Sequence, residues 1–222
     1  MALTFDQLVQ NTPLWLYSNN RSLVQEMPTI VQMAHNQLIN LIDHDLFRTI
    51  ITGKSLLAST YGVLDLSSED PRVLEIRAVR VQYQNDEQSW TPLQRRDLET
   101  MSMMYARNRP RRPRYYSEYS SPLVIKAFPQ PDMDYVVEIS ANVEPPVLSA
   151  TNQTNIISEQ FPRLMEKATF RQGALYMKNW EDAQIYEKEM ATALSEANAQ
   201  IQRRRRDDVE TRPVETANIT GA

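Results

Sequence analysis

The sequence predicts an α+β protein: a helical bundle from N- and C-terminal helices, a β-rich, proline-rich middle, and an extended C-terminal tail. Apolar residues recur at helical spacing near both ends of the chain, whereas β-branched residues dominate the middle. The last sixteen residues have no periodicity and little to bury. The expected division is therefore 1–47 for N-terminal helices, 48–158 for a β-rich insertion with a short helix, 159–206 for a C-terminal helix pair, and 207–222 for the tail.

The first fifty residues are predicted to be helical. Thr4 and Gln7 have the spacing of a capping box that opens a short helix, and Pro13 is expected to break it. Pro28 suits a first helical position, so a longer helix is predicted from there to about Asp45.

The middle of the chain is predicted to contain several strands. Residues 49–66 are rich in β-branched residues and contain two glycines, which predicts a hairpin. A strand is predicted at 73–83, with a bulge where its apolar residues change face. Thr91-Pro92 is expected to open a short helix over about 93–105. Two more strands, joined by a proline-containing turn, are predicted at 123–128 and 135–143.

The last third returns to helical spacing. Pro162 again suits a first helical position, and Gly173 within that helix costs about 1 kcal/mol, which is tolerable where another backbone approaches. The next helix carries the clearest apolar stripe and is expected to end in the cations 203–206. The side chains predicted to form the core of the bundle are Leu164, Met165, Ala168, Leu175, Tyr186, Met190, Leu194 and Ala197.

Composition excludes several classes of site. The chain has no cysteine, which removes disulfides, thiolate metal ligands and cysteine nucleophiles. Its first residues do not have the pattern of a signal peptide, and no apolar run is long enough for a membrane span. The net charge is −4, and all but five of the 24 basic residues are arginines.

Catalytic and metal sites are not predicted, and no cofactor is expected. His35 and His44 are nine residues apart, which places them on opposite faces of one helix. Asp132 and Asp134 fall in a predicted turn, where aspartate commonly bonds to the local backbone. The four glycines form no phosphate-binding loop. We therefore expect a protein that is not an enzyme.

Arginine clusters are the sharper candidates for function. Nine arginines lie in 107–114 and 203–206. The first cluster precedes Tyr115 and Tyr116, a mixture found in single-strand nucleic-acid binders. The cluster also suits ion pairs with a neighbouring subunit. The negative net charge of the chain favours these ion pairs over nucleic-acid binding. The residues assigned either to contact with DNA or to ion pairs between subunits are Arg107, Arg109, Arg111, Arg112 and Arg114.

From Val73 onward, about two thirds of the chain shows a serial order of segments: strand 74–81, Pro92-Leu93 before a short helix, Arg112-Pro-Arg-Tyr-Tyr116, Phe128-Pro-Gln-Pro131, strand 135–143 and Glu144-Pro-Pro-Val-Leu-Ser149. This order resembles that of the family of tailed-phage head-to-tail adaptor (connector, neck) proteins. It is most specific in the closing helix pair, which contains Glu159-Gln-Phe-Pro-Arg-Leu-Met165 and Tyr186-Glu-Lys-Glu-Met190.

This resemblance implies a structural virion protein at the head–tail junction, assembled in the host cytoplasm. Such proteins form a ring, typically of twelve copies, below the portal protein; the ring extends the DNA channel and docks tail, stopper or nozzle proteins. It also implies a portal-binding tail, here carrying Val209, Arg212, Pro213, Val214 and Ile219. The tail and proline-rich arms are then expected to stay loose until assembly. No membrane partner is implied.

Two alternatives remain open at this point. One is another virion component, such as a tail-completion or minor capsid protein. The other is a nucleic-acid-binding module that uses residues 107–119.

Overall fold

The structure, a computed structural model, describes residues 2–17, 20–69, 71–82, 90–106, 109–120 and 123–210. This part of the chain contains six α-helices, one short 3-10 helix and seven β-strands. The chain divides into a helical unit, Met1–Leu46 with Pro146–Ala222, and a sheet unit, Phe47–Pro145.

The N-terminal helices are α1 (Phe5–Trp15) and α2 (Arg21–Leu41). The predicted capping box is confirmed, because the Gln7 N–H donates to Thr4 Oγ1 at 3.2 Å and the Thr4 N–H donates to Gln7 Oε1 at 3.0 Å. The predicted roles of both prolines are wrong: Pro13 lies inside α1 and Pro28 inside α2.

Burial explains why these prolines are tolerated. A proline inside a helix costs about 3 kcal/mol, but each fully buried large apolar side chain contributes about 1.5–3 kcal/mol. Helix α2 buries Leu23, Met27, Ile30, Val31, Leu38 and Ile39 along one side. It ends at Leu41, and a 3-10 helix follows at His44–Phe47.

The C-terminal helices are α4 (Ile156–Gln160), α5 (Pro162–Tyr176) and α6 (Trp180–Glu210). The remaining helix, α3 (Leu98–Met104), belongs to the sheet unit. Pro162 at the start of α5 is confirmed. Helix α5 packs against α1, α2 and α6, so it is the central helix of its unit.

The sheet unit contains a single seven-stranded sheet. Its strands are β1 (Arg48–Leu56), β2 (Val63–Asp65), β3 (Val73–Gln82), β4 (Trp90–Arg95), β5 (Tyr115–Ser120), β6 (Leu123–Phe128) and β7 (Tyr135–Val143). Their order is β1-β7-β3-β4-β5-β6-β2, and neighbours are antiparallel except for the parallel pair β4 and β5. The two edge strands, β1 and β2, contact each other without pairing, so the sheet is nearly closed and barrel-like.

The predicted hairpin over 49–66 is wrong, because β1 pairs with β7 and β2 pairs with β6. The turn between β1 and β2 instead packs against the proline turn that follows β6. Gly62 has φ of 73°, and a Cβ atom there would lie 2.5 Å from Pro131 Cδ. Only glycine fits both the backbone conformation and this close approach.

Strand β3 has the predicted bulge, seen as register shifts against β7 between Val73 and Glu75 and between Ile76 and Ala78. Strands β6 and β7 have the predicted bounds. The helix predicted from 93 is wrong at its start: residues 90–95 form β4, and α3 begins after Asp97, whose carboxylate accepts from the Thr100 N–H at 2.9 Å.

The predicted fold class is wrong. The middle of the chain is not a β-rich projection from a helical bundle, because its strands close around their own core. This core includes Leu56, Val79, Val81, Ile125, Tyr135, Val137 and Ile139. The C-terminal prediction also fails in part, since α6 continues through Glu210, past the expected start of the tail. The protein is a mixed α+β structure with a barrel-like sheet and six helices in the described part of the chain.

Candidate interaction surfaces

The arginine segment, residues 109–114, is held against the sheet by its backbone. The Arg111 N–H donates to the Gln130 carbonyl at 2.8 Å, and the Arg114 N–H donates to the Phe128 carbonyl at 2.9 Å. These two hydrogen bonds connect the described part of the proline-rich stretch to the turn after β6 and to the end of β6.

The side chains of this segment point into solvent. Arg109, Arg111 and Arg114 are exposed, and within the described ranges no carboxylate lies at ion-pair distance from them. Arg112 differs, because its Nη2 donates to Thr91 Oγ1 at 3.3 Å. Arg107, which was assigned the same role, lies outside the described residues.

Five other cations of the sheet unit do have acidic partners. The described pairs are Lys54–Glu69, Arg72–Glu144, Arg77–Glu75, Arg80–Glu138 and Arg95–Glu118. Because these carboxylates are already engaged, the positive charge of the arginine segment is not neutralised locally. The segment is a concentrated cationic surface on a chain whose net charge is −4.

A groove of about 330 Å³ adjoins the arginine segment. It is lined by Thr91, Pro92, Gln94, Arg112, Pro113, Arg114 and Tyr115, with no acidic side chain among them. The groove therefore offers N–H and O–H donors together with positive charge, a combination that suits an oxyanion such as a phosphate or carboxylate.

Beside this groove, Arg95 and Glu118 link β4 to β5 through an ion pair of 2.9 Å. Burial raises the pKa of the Glu118 carboxyl, the Arg95 guanidinium lowers it, and the charge of Glu75 raises it. Burial likewise raises the pKa of the neighbouring Tyr116 hydroxyl. Burial therefore destabilises the ionised form of Glu118, and the positive charge of Arg95 partly compensates for this.

A second groove in the sheet unit has a volume of about 420 Å³ and a mixed lining. Tyr61, Tyr105 and Phe128 contribute to its walls, and polar side chains also line it. On α3, Met103 is 78% exposed and Met104 is 66% exposed. Exposed methionines are common on surfaces that adapt to a protein partner.

The helical unit carries an exposed aromatic surface at the end of α1. The rings of Trp15 and Phe170 are 6.1 Å apart, and those of Phe170 and Tyr186 are 5.4 Å apart. Phe170 is buried, whereas Trp15 is 58% exposed and Tyr17 is 96% exposed. Trp180, at the start of α6, is 65% exposed. Tryptophan and tyrosine are enriched among the residues that dominate interface energies.

The predicted bundle-core residues all lie on α5 and α6. Five of them are buried: Leu164, Met165, Ala168, Met190 and Ala197. The other three are partly exposed: Leu175, Tyr186 and Leu194. Within the helical unit they contribute to the packing of α5 and α6 on each other.

The proposed portal-binding residues lie almost entirely beyond the described chain. Val209 falls in the last turn of α6, while Arg212, Pro213, Val214 and Ile219 are outside the described residues. Their assignment therefore stays a prediction.

Candidate catalytic side chains have structural partners. His35 is buried, with Nδ1 3.2 Å from Asn155 Nδ2, and His44 Nε2 lies 3.0 Å from the Ile39 carbonyl. Asp132 accepts from the Tyr135 hydroxyl, and Asp134 accepts from the Ala58 N–H. No group of three or more His, Cys, Asp or Glu side chains suitable for a metal ion occurs in the described part of the chain.

The exposed aromatic and methionine side chains could not be recognised from the sequence. Helical spacing gave no signal for Trp180, because it lies three residues before Ala183 and so on the same side of α6 as the apolar stripe. Its exposure of 65% is seen only in the structure.

None of the described helices combines the length and apolar character that crossing a lipid bilayer requires.

Comparison with known proteins identifies the family. A search of curated proteins finds no match. A family model described as SU10 adaptor protein matches residues 3–217 of the 222, which confirms the resemblance first seen from Val73 onward. The chain belongs to the SU10 adaptor protein family, a family of phage head-to-tail adaptors.

Proposed function

We propose that the protein is a structural head-to-tail adaptor that forms a ring below the portal of a filled capsid, extends the DNA channel and docks the tail. The family match over residues 3–217 is the observation that carries this proposal. Its partners would be further copies of itself, the portal protein and tail, stopper or nozzle proteins, all within the virion. A ring of twelve copies is the expected size.

The exposed surfaces support an assembling protein. Trp15, Tyr17, Trp180 and the Met103–Met104 pair are unusually accessible for residues of their type. Aromatic and methionine side chains are enriched in protein–protein interfaces relative to the rest of the surface, so these exposed residues are candidates for subunit contacts. A surface on one copy that binds a different surface on the next closes a ring when the rotation per copy is right.

The C-terminal residues are proposed to bind the portal. Helix α6 extends through Glu210, so the binding segment would begin after that residue and carry Arg212, Pro213, Val214 and Ile219. An apolar residue every few positions and a single arginine suit docking of an extended segment on a protein surface. Ordering this segment only on the portal would make assembly depend on the partner.

The family also favours a structural role over catalysis. An adaptor acts by binding, and the described polar side chains that resembled catalytic groups have structural partners. The protein is therefore proposed to work without a cofactor.

Complementation of adaptor-deficient heads tests this proposal. DNA-filled heads that contain portal but lack the adaptor are mixed with the purified protein and then with tails, and the products are imaged by electron cryomicroscopy. We expect a ring of added density below the portal and a rise in tailed particles. Bovine serum albumin at equal concentration serves as the inert control. Heads that acquire no density and no tails would refute the function.

A further inference from the structure

We propose that the arginine segment, residues 109–114, contacts the phosphate backbone of DNA in a weak, sequence-independent manner. This inference rests on the proposed adaptor function, because it names the partner of one surface of the ring. The carrying observation is a set of three exposed arginines without acidic partners in the described chain, fixed next to a groove lined only by neutral and basic residues.

Most described carboxylates of the sheet unit are engaged by groups outside the arginine segment. Residues 47–145 contain 13 Lys or Arg and 13 Asp or Glu, so the sheet unit has no net charge. Its described carboxylates are largely engaged elsewhere, in five ion pairs and in the bonds to Ser67, Thr100, Tyr135 and Ala58. None of these five ion pairs involves Arg109, Arg111 or Arg114, so the three exposed arginines concentrate positive charge at one place on the surface.

A neighbouring copy is the alternative partner, and it would have to offer several carboxylates close together. In the described helical unit, Asp6, Glu26 and Glu196 are exposed acids on three different elements. Glu181 and Asp182 do lie together at the start of α6, but Asp182 already accepts from Asn179 Nδ2 at 2.6 Å. Glu187 and Glu189 already pair with Arg171 and Lys167. A polynucleotide, in contrast, supplies closely and regularly spaced negative charges.

The backbone of the arginine segment is fixed by hydrogen bonds before any partner binds. Backbone bonds from Arg111 to Gln130 and from Arg114 to Phe128 fix the direction of the segment, and the Gln94 N–H donates to the Arg114 carbonyl at 3.0 Å. Only the arginine side chains remain to be ordered on binding, which lowers its entropic cost. Guanidinium groups are well suited to phosphate oxygens.

Phosphate contact is favoured over base stacking by the state of the nearest aromatic ring. The Tyr115 ring is only partly exposed, and the Arg96 guanidinium lies over one of its faces, 6.0 Å from the centroid. Contacts limited to phosphates carry no sequence information. They are also readily exchanged, which suits DNA that passes along a channel.

Fluorescence anisotropy with a labelled 20-base-pair duplex tests the inference, using the full chain at several salt concentrations. The test variant replaces Arg109, Arg111 and Arg114 with alanine. The control variant, Arg21→Ala/Arg163→Ala/Lys188→Ala, removes three exposed cations of the helical unit and changes the net charge equally. Circular dichroism verifies that both variants fold.

We expect micromolar or weaker binding by the natural sequence at about 50 mM salt, with log K falling at a slope of about −3 against log salt. The test variant should bind at least about tenfold more weakly and lose about two to three units of that slope. The control should stay within about twofold of the natural sequence. Equal binding by test variant and control, or no binding by the natural sequence, would overturn the inference.

Two further readouts separate this inference from the proposed function. If the test variant keeps its DNA affinity but loses self-association in analytical ultracentrifugation, the segment belongs to a subunit interface and the inference fails. If the natural sequence joins heads to tails while the arginine substitutions leave DNA binding intact, the function stands and only the inference falls. If DNA binding behaves as expected but heads acquire no tails, the inference stands and the function falls.

Discussion

A Cβ atom on Gly173 would lie 2.7 Å from Cδ1 of Leu16, which is closer than van der Waals contact permits. Leu16 follows α1 directly and Gly173 lies in α5. The sequence-based expectation of a close approach at Gly173 is met, although by a leucine side chain and not by a backbone. The missing side chain in α5 is therefore what lets the end of α1 pack there.

Gly173→Val should destabilise the protein by about 1–3 kcal/mol, because the added atoms overpack the contact with Leu16. Leu16→Ala removes that steric conflict, so the cost of Gly173→Val should shrink in the Leu16→Ala background. Urea denaturation of the four proteins in this double-mutant cycle measures the coupling. Equal costs in both backgrounds would show that the two residues do not compete for the same space.

Asn155→Ala should cost about 2 kcal/mol of unfolding free energy. The Asn155 side chain accepts from the Ser158 N–H at 2.9 Å, capping α4, and Nδ2 also lies 3.0 Å from the Pro146 carbonyl. Removing the Asn155 side chain takes a hydrogen-bond partner from two buried groups, the Ser158 N–H and the Nδ1 atom of His35. The control is Asn20→Ala at the exposed cap of α2, which should cost less; thermal and urea unfolding compare the two.

Glu118→Gln should change how stability depends on pH. Burial raises the pKa of Glu118 in the folded protein above its ordinary value of 4.5. The folded state then holds this proton more tightly than the unfolded state, so the residue's contribution to stability falls as pH rises from about that value. The glutamine variant lacks this loss, and its stability relative to the natural sequence should rise between about pH 4.5 and 7.

Urea denaturation at several pH values measures this difference. The partner Arg95 is largely exposed and screened by solvent, so only the direction is predicted. Glu99→Gln on the exposed surface of α3 is the control. A stability difference that stays constant or falls with rising pH in the Glu118→Gln protein would contradict the burial argument.

Truncation after Glu210 should abolish attachment to filled heads while leaving the fold intact. The deletion spares α6 and removes only residues 211–222, so the circular dichroism spectrum and the unfolding midpoint should stay close to those of the full chain. Co-sedimentation with portal-containing heads measures attachment. A matched chain in which Val214 and Ile219 are replaced by aspartate should show the same defect, and normal attachment by both would refute the proposed portal-binding segment.

Elements with strong local signals could be predicted from sequence alone. Strand β7 follows from its alternation of apolar and polar residues, the start of α5 from Pro162, and the cap of α1 from Thr4 and Gln7. Each signal depends on residues within a few positions of one another, and each physical cause, whether alternation, a fixed φ or a side-chain cap, acts over the same short range.

Elements defined by distant partners could not be predicted in this way. No strand was predicted at 115–120, but β5 forms there and pairs with β4 and β6. The candidate surfaces show the same division: the arginine cluster was visible in the sequence, while its lack of acidic partners depends on where Glu75, Glu118 and Glu138 lie.

The sequence by itself determined the family, the positions of several strands and helix starts, and the concentration of arginines at 107–114. Tertiary structure alone decided that Pro13 and Pro28 lie within helices, that β1 and β2 pair with strands far along the chain, and that the sheet closes around its own core. The physical reason is that local patterns specify backbone conformation, whereas burial and strand pairing are collective and can outweigh a local cost of a few kcal/mol.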